Sequence, residues 1–574
     1  MVKLTINNRK VSVPEGTTIL DAAAKVGIKI PTLCFLRGLN DIGACRICCV
    51  EVEGKEALVA SCNTRVADGM VIYTNSLKAQ YARRMNLQII LSQHDFRCAA
   101  CQRNGTCTLE KTCEQMNINA LPFKQHLEKR PWNRQFPLIR NSAKCIKCMR
   151  CVQICDKVQS LSVWDIVNTG KRTNVDVHDN QKIEEVNCSL CGQCITHCPT
   201  GALRERDDVR RVTDAIHDPN KIVVAQIAPA VRAAWGEGLG LPEKLSTEKR
   251  MAAAARALGF DYVFDTNFGA DLTIMEEANE LLEHLKHPKE HEWPMFTSCC
   301  PGWVRFLKSE YPDMVGNLST SKSPHQMFGA IIKTYFAKEI LGVDPECIVT
   351  VSIMPCLAKK AESNIANIND AGAGKDVDYV LTTREFDRVL RSELIDPVSL
   401  EEEEFDSPLG VGSGAAVIFG ATGGVMEAAL RTAYYKVIGS NPKPDEFKVV
   451  RGSDGIKETT VKMGDQELHA AVTHGLGNAR KLIERIRAGK AHYDFVEVMA
   501  CPGGCVGGGG QPITEGREMS QRRGIKLYKL DKDNPLRFSH ENPEIITLYH
   551  DFLGKPLSEK AEKLLHTEHI ASIR

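Results

Sequence analysis

The chain has almost no net charge: 73 Lys and Arg stand against 72 Asp and Glu, leaving +1 over 574 residues. That balance argues against nucleic acid or an anionic membrane as the main partner. Long apolar runs are missing too. The opening Met1-Val2-Lys3-Leu4-Thr5-Ile6 sets a lone Lys3 before a short polar-apolar alternation, not the extended apolar core of a secretory signal, so a cytoplasmic location is expected. Residues 407–426 are nearly uncharged, but Gly410, Gly412, Gly414, Gly420, Gly423 and Gly424 interrupt them, which predicts close backbone packing rather than a membrane span. No Rossmann fingerprint for a nicotinamide is present, so any coupling to that cofactor requires partner chains. One core cannot serve a chain of this length, and several packed modules are expected.

Cysteine is what the chain has in excess, with 23 residues and no export signal. Reduced intracellular thiols are available as metal ligands, and the spacings that follow are those of iron-sulfur ligands rather than of disulfides. Leu4-Thr5-Ile6 and Val11-Ser12-Val13 flank Asn7-Asn8 as a hairpin, and Thr18 with Asp21 caps a helix ending at Gly27. Cys34, Cys45, Cys48 and Cys62 then follow in roughly the plant-type ferredoxin order, with a wider first gap. Residues 1–78 are therefore expected to form a β-grasp 2Fe-2S domain, with Cys49 a surplus buried thiol.

Residues 81–116 read as helical and carry His94, Cys98, Cys101 and Cys107, a set suited to a 4Fe-4S cluster with one imidazole ligand in a module 79–125. A neutral imidazole in place of a thiolate removes negative charge and raises the potential. Cys113 falls outside the pattern. The next spacing is the most specific: Cys145-x2-Cys148-x2-Cys151-x3-Cys155, then Cys188-x2-Cys191-x2-Cys194-x3-Cys198-Pro199. In this two-cluster bacterial ferredoxin repeat the fourth Cys of each run serves the other cluster. Cys145, Cys148, Cys151 and Cys198 are thus assigned to one 4Fe-4S and Cys188, Cys191, Cys194 and Cys155 to another, in a module 126–210. Asp156 replaces the usual proline after Cys155 without removing a ligand. Zinc would call for isolated sets of four. Four clusters in series make an electron wire, and a wire ends at chemistry.

In residues 211–574, apolar strands alternate with amphipathic helices: 222–227, 262–264, 294–296, 348–353, 379–381 and 495–499. The alternation predicts an α/β domain with mainly parallel sheets. Cys300, Cys356 and Cys501 each stand just past the C-terminal end of such a strand, where open α/β sheets place their sites. With Cys505 they offer four thiolates for a further 4Fe-4S cluster. Gly503, Gly504 and Gly507 to Gly510 let backbone approach a bulky cofactor.

These segments, Thr297-Ser298-Cys299-Cys300-Pro301, Met354-Pro355-Cys356-x-x-Lys359-x-x-Glu362 and Glu497-x-Met499-x-Cys501-x-x-Gly504-Cys505-x-x-Gly508-Gly509-Gly510-x-Pro512, resemble the three signature motifs of iron-only (FeFe) hydrogenases. With four N-terminal clusters in order, the whole chain is similar to the multi-cluster clostridial type. The resemblance implies an H-cluster: a 4Fe-4S on Cys300, Cys356, Cys501 and Cys505, bridged through Cys505 to a two-iron subcluster carrying CO, CN and azadithiolate ligands. It implies further that Lys359 pairs with a cyanide, that Ala228, Pro229, Met354, Pro355, Met499, Gly504 and Gly508 wall the cofactor, and that protons travel by Cys299, Glu277, Ser319 and Glu280. Met354 and Met499 serve equally well as core filler, and Glu277 with Glu280 on a helix 272–285 would otherwise read as solvated surface.

Two departures stand out. Ala230 occupies a place where relatives often carry a serine that bonds a cyanide. His284 stands where some carry arginine near the outer end of the proton path, and residues 287–293 are inserted beside it. The activity implied is reversible formation of H2 from two protons and two electrons, with ferredoxin or a similar small carrier as partner and with dedicated maturation proteins. An alternative is the catalytic subunit of an NAD(P)-linked, electron-bifurcating complex with flavin-bearing partners, whose subunits the run Leu564-Leu565-His566-Thr567 resembles. The alternative of another class, a non-catalytic iron-sulfur assembly protein, would have lost Cys299, Lys359 and the cluster-rich N-terminus.

Overall fold

The computed structural model describes residues 1–443, 445–452, 455–464, 466–513 and 518–571. They form two compact units. The first comprises Met1–Lys157, Leu161–Val186 and His197–Arg204, and the second Val158–Ser160, Asn187–Thr196 and Glu205–Arg574.

The first unit opens with a five-stranded sheet in the order Arg9–Val13, Val2–Ile6, Val71–Tyr73, Cys49–Val52, Val59–Ala60. Asn7 and Asn8 make its first turn with φ of 44° and 64°, the left-handed pair that a two-residue hairpin needs and that Asn tolerates. Thr18 Oγ1 accepts the Asp21 N–H and caps Ile19–Lys25. Ile6, Ile19, Val50 and Ile72 seal the core beneath.

The segment 81–116 is helical at both ends, with the expected short loop of thiols between. Two helices, Leu77–Leu91 and Thr108–Gln115, are separated by a loop. A continuous helix would scatter His94, Cys98, Cys101 and Cys107 around its axis, whereas a loop can turn them toward one cluster. Gly105 turns this loop with φ +74°.

The second unit contains two four-stranded sheets. One is wholly parallel, in the order Tyr262–Asp265, Ile222–Ile227, Ile348–Met354, Tyr379–Thr382. The other runs Met295–Phe296, Phe495–Met499, Gln466–His474, Ile456–Met463, parallel except for its last pair. The molecule is thus iron-sulfur modules plus an α/β catalytic domain with mainly parallel sheets. That last hairpin was not foreseen, because Lys457, Glu458, Thr459 and Lys462 give it the polarity of a surface edge. Helices cover the sheets; Trp235 and Phe386 pack against Val223, Val351 and Leu381 of the first.

The helix Asn267–Lys286 is longer than the expected 272–285 and buried along most of its length. Residues 407–426 pack by backbone as their glycines suggest: a Cβ on Gly424 would lie 1.8 Å from Ile418 O, and one on Gly412 2.2 Å from Asn267 Cβ. Among the described residues no helix is long and apolar enough to cross a membrane.

Candidate active site and cluster sites

Each cysteine motif of the second unit sits where a strand ends. Cys300 follows Met295–Phe296 and is the N-cap of the helix Pro301–Glu310, Cys356 follows Ile348–Met354, and Cys501 follows Phe495–Met499. They therefore come from two sheets, rather than from the switch point of one.

The glycine loop joins them. Gly510 N–H donates to Pro355 O at 2.8 Å, and a Cβ on Gly508 would stand 2.2 Å from that same carbonyl oxygen. Gly504 holds φ +86°, a conformation open to glycine and strained for other residues. The Ala500 N–H reaches Cys300 Sγ at 3.5 Å. Burial raises the pKa of Cys300, Cys356 and Cys505, with the neighbouring thiols adding to it for the last two, and Cys356 is pushed up to about 12. Cys501 is pushed up well above its ordinary value, by burial first and then by Cys191, Cys356, Cys300 and Cys505. Desolvated thiols that repel one another's ionisation are what a cation must compensate. Cys300, Cys356, Cys501 and Cys505 thus fit a cationic iron cluster held by all four sulfurs.

Lys359 borders this group. Its Nζ donates to Cys299 O at 3.2 Å and to Glu362 Oε2 at 2.7 Å, and His325 Nε2 meets the same oxygen at 2.6 Å. Burial would raise Glu362, but Lys359 and His325 outweigh it and hold the carboxyl at about 2. Burial, reinforced by Lys359, pushes His325 down to about 4. A solvent-facing Lys359 is thereby ruled out. Met354, Met499, Ala228 and Pro229 are buried. Ala230 is buried as well, and its carbonyl accepts Gln511 Nε2 at 2.9 Å.

Cys299 is buried, and burial followed by Glu277 raises its thiol well above the ordinary value. Glu277 is wholly buried. Neither of its oxygens has a hydrogen bond of good geometry, although Ser319 and the Ser298 N–H lie close enough to temper its shift. Burial, then the charges of Glu280 and Glu497, push it up to about 8. Ser319 Oγ donates to Glu280 Oε2 at 2.5 Å, while the Thr320 N–H and Oγ1–H both donate to Glu280 Oε1 at 2.8 Å. The acidic pair is therefore internal, not solvated surface.

At the outer end His284 stacks on His291 with ring centroids 3.7 Å apart. Glu497 was read only as part of a motif. It accepts the N–H groups of Gly423 and Met426, both at 2.7 Å, and fixes the turn on which Gly504 rests. His325, Thr320 and Glu276 were missed altogether, and His566 was read only as part of the run 564–567; no local spacing marks them.

Within the second unit the run Cys188, Cys191, Cys194 lies against the glycine loop: Cys501 Sγ reaches Cys191 O at 3.6 Å and Gln193 Nε2 donates to Gly507 O at 2.9 Å. Cys155, expected as the fourth ligand of that run, belongs to the first unit.

In the first unit, Cys145, Cys148, Cys151 and Cys198 line one cavity with Arg140, Trp164 and Ala202, joining the fourth Cys of one run to three of the other. Cys34 and Cys45 form one interacting pair and Cys48 and Cys62 a second, each sharing a hydrogen bond that lowers one thiol and raises the other. Cys98 lies near Cys101 and Cys107. Burial and Lys144 depress His94 to about 4, leaving a neutral imidazole whose Nδ1 has no hydrogen-bond partner, the state a metal ligand requires. Cys49 Sγ faces Ala79 O instead. Among the described residues no three His, Cys, Asp or Glu groups converge tightly enough for a single ion, a geometry unlike an isolated zinc site.

Comparison with known proteins accounts for this arrangement. Residues 221–509 match the iron only hydrogenase large subunit, C-terminal domain. Residues 1–76 match a 2Fe-2S iron-sulfur cluster binding domain, 83–121 the NADH-ubiquinone oxidoreductase-G iron-sulfur binding region, 144–202 a 4Fe-4S dicluster domain and 517–572 the iron hydrogenase small subunit. The chain is 48% identical over 583 residues to the NADP-reducing hydrogenase subunit HndD of Solidesulfovibrio fructosivorans and 39% identical over 574 residues to iron hydrogenase 1 of Clostridium pasteurianum, each match covering 99% of both chains. A variant of apo FeFe-hydrogenase HydA1 from Chlamydomonas reinhardtii superposes with a TM-score of 0.58 at 45% identity, over 64% of this chain and 99% of that one. Kinship that runs the full length of the chain makes this protein a member of the iron-only (FeFe) hydrogenases, oxidoreductases that act on hydrogen.

Proposed function

We propose that the chain, built as modules 1–78, 79–125, 126–210 and 211–574, interconverts two protons and two electrons with H2 at a cofactor held by Cys300, Cys356, Cys501 and Cys505. When bound, that H-cluster supplies the redox chemistry at hydrogen. Four accessory clusters on the ligand sets assigned above conduct electrons, and the contact of Cys191 and Gln193 with Cys501 and Gly507 supports a short final step to the site.

The polypeptide contributes dryness, charge and proton handling. Lys359 presents a buried ammonium, paired with Glu362, to an anionic ligand. Cys299 is both donor and acceptor of a proton and exchanges with Glu277, whose carboxyl, held near 8, is poised for transfer at neutral pH. Ser319 links Glu277 to Glu280, the outer acid. The observation that carries this reading is the burial of Cys299 beside Cys300, Cys505 and a wholly buried Glu277. Infrared spectroscopy of the loaded protein tests it: carbonyl and cyanide bands are expected to persist in Cys299→Ala while turnover collapses, and full activity in that variant would refute the route.

A second reading concerns the electron partner. The relative HndD, similar over 99% of its length, is by name a subunit of an NADP-reducing hydrogenase. That favours assembly with a flavin- and NADP-binding partner over ferredoxin alone. Co-purification from the native source, with NADP-dependent H2 uptake that the isolated chain lacks, tests it.

A further inference from the structure

The C-terminal segment is bonded directly to the relay. The Thr567 N–H donates to Thr320 O at 2.8 Å, the Lys322 N–H to Leu565 O at 2.8 Å, and His569 Nε2 meets Ser319 O at 2.9 Å. Ser319, Thr320 and Ser321 thus lie along an antiparallel edge supplied by residues 565–569. At its centre, His566 Nδ1 lies 2.8 Å from Thr320 Oγ1 and His566 Nε2 lies 3.1 Å from Glu276 Oε2.

Counting donors fixes what these contacts require. Thr320 Oγ1 spends its single proton on Glu280 Oε1, so toward His566 it can only accept, and Nδ1 must carry a hydrogen. Glu276 already accepts Tyr549 Oη–H on one oxygen and the Leu557 N–H, at 2.9 Å, on the other. A carboxylate in that role accepts from Nε2 too, so both ring nitrogens are donors and the ring is an imidazolium.

We propose that His566 stores a proton for turnover one hydroxyl away from Glu280. This rests on the reading of Glu280 as the outer acid of the relay. Release is a concerted double hop: the His566 Nδ1–H bond breaks as a Thr320 Oγ1–H bond forms, and the former Thr320 proton passes to Glu280 Oε1. His566 ends neutral and Glu280 protonated, with net charge unchanged across the three groups. Recharging reverses the hops from a protonated Glu280. For a reaction that consumes two protons, a charged reserve beside the last acid supplies one while the other arrives from solvent.

The titratable and charged groups around His566 are Glu276 and Glu280 on the helix Asn267–Lys286, Glu562 one turn earlier on its own helix, Tyr549 through Glu276, and Lys322, whose Nζ is tied to Leu564 O at 2.9 Å. Burial works against the cation, but the Glu276 hydrogen bond and the surrounding carboxylates outweigh it and raise His566 above its ordinary value.

The test uses the loaded, full-length protein and three variants. In His566→Gln, H2 evolution is expected to match the parent at pH 6 and to fall about tenfold below it by pH 8, where solvent protons are scarcer. His566→Arg keeps a cation beside Glu276 but cannot release a proton, and it is expected to fall likewise. Isotope-edited infrared of histidine-labelled protein is expected to show an imidazolium at pH 7 that is absent from His566→Gln. Unchanged carbonyl and cyanide bands and melting temperature establish that each variant is intact. A parental pH profile in His566→Gln, a parental profile in His566→Arg, or a neutral His566 at pH 7 would each overturn the reserve. Glu280→Gln separates the two readings: inactivity there beside a silent His566→Gln sinks only the reserve, whereas full activity in Glu280→Gln overturns the relay and the reserve together.

Discussion

Glu362 Oε2 is shared by Lys359 Nζ at 2.7 Å and His325 Nε2 at 2.6 Å, so one carboxylate oxygen fixes side chains from two different helices. Removing it leaves a buried ammonium without its counter-charge, which costs about 3–5 kcal/mol. Glu362→Gln is expected to lower the melting temperature and to weaken retention of the two-iron group, read as lost carbonyl and cyanide bands. The pH dependence has a fixed sign. Glu362 sits at about 2 when folded against an ordinary 4.5, so its contribution is complete above pH 4.5 and is lost as pH falls toward 2. Acid unfolding of the parent is expected to steepen in that window, and Glu362→Gln to flatten it.

Glu277 has the opposite sign. Its folded value of about 8 lies above the ordinary 4.5, so the folded chain binds the extra proton, and the ionisation penalty grows as pH rises from 4.5 to 8. Glu277→Gln is expected to melt higher than the parent at pH 8 and to match it at pH 4. Its turnover is expected to drop roughly a hundredfold or more, the scale of a lost general acid. Paired melting curves and H2 assays check both.

Gly508 separates close packing from backbone strain. Its φ is −60°, open to any residue, yet an added Cβ would stand 2.2 Å from Pro355 O. Gly508→Ala is expected to leave the fold intact and to displace the loop from Cys356. Iron content of the α/β domain and the infrared bands should both fall. Gly504→Ala adds left-handed strain at φ +86° and is expected to be worse.

Arg384 is the tie between the loop and the segment that enters the domain. It donates to Gly509 O at 2.7 Å, to Gln511 O at 2.6 Å and to Glu205 Oε2 at 2.7 Å. Arg384→Ala removes one of the guanidinium partners of buried Glu205 and is expected to destabilise by about 3 kcal/mol in chemical denaturation. Arg384→Lys keeps the charge without the fork, and is expected to recover only part of that loss.

Much of this architecture was legible because its chemistry is local. The spacing of Cys145, Cys148 and Cys151 encodes a ligand loop on its own, and the apolar run Ile348–Met354 declares a strand buried on both faces. What could not be read depends on distance. Glu276 meets His566 across 290 residues and Lys360 meets Asp208 across 152, and neither partner carries a mark that singles it out. The hairpin Ile456–Met463 with Gln466–His474 escaped notice for another reason: one side of it faces water, and its polarity hides the alternation.

The two-residue strand Met295–Phe296 pairs in parallel with Phe495–Met499, and Thr297 meets Val498 across 201 residues. A ribosome adding about 10 residues per second takes roughly twenty seconds to make the second partner after the first. Through that interval Cys300 has no companion sulfur from the 501–505 loop. A set of all four sulfurs therefore exists only once synthesis has passed Cys505, late in the making of the chain.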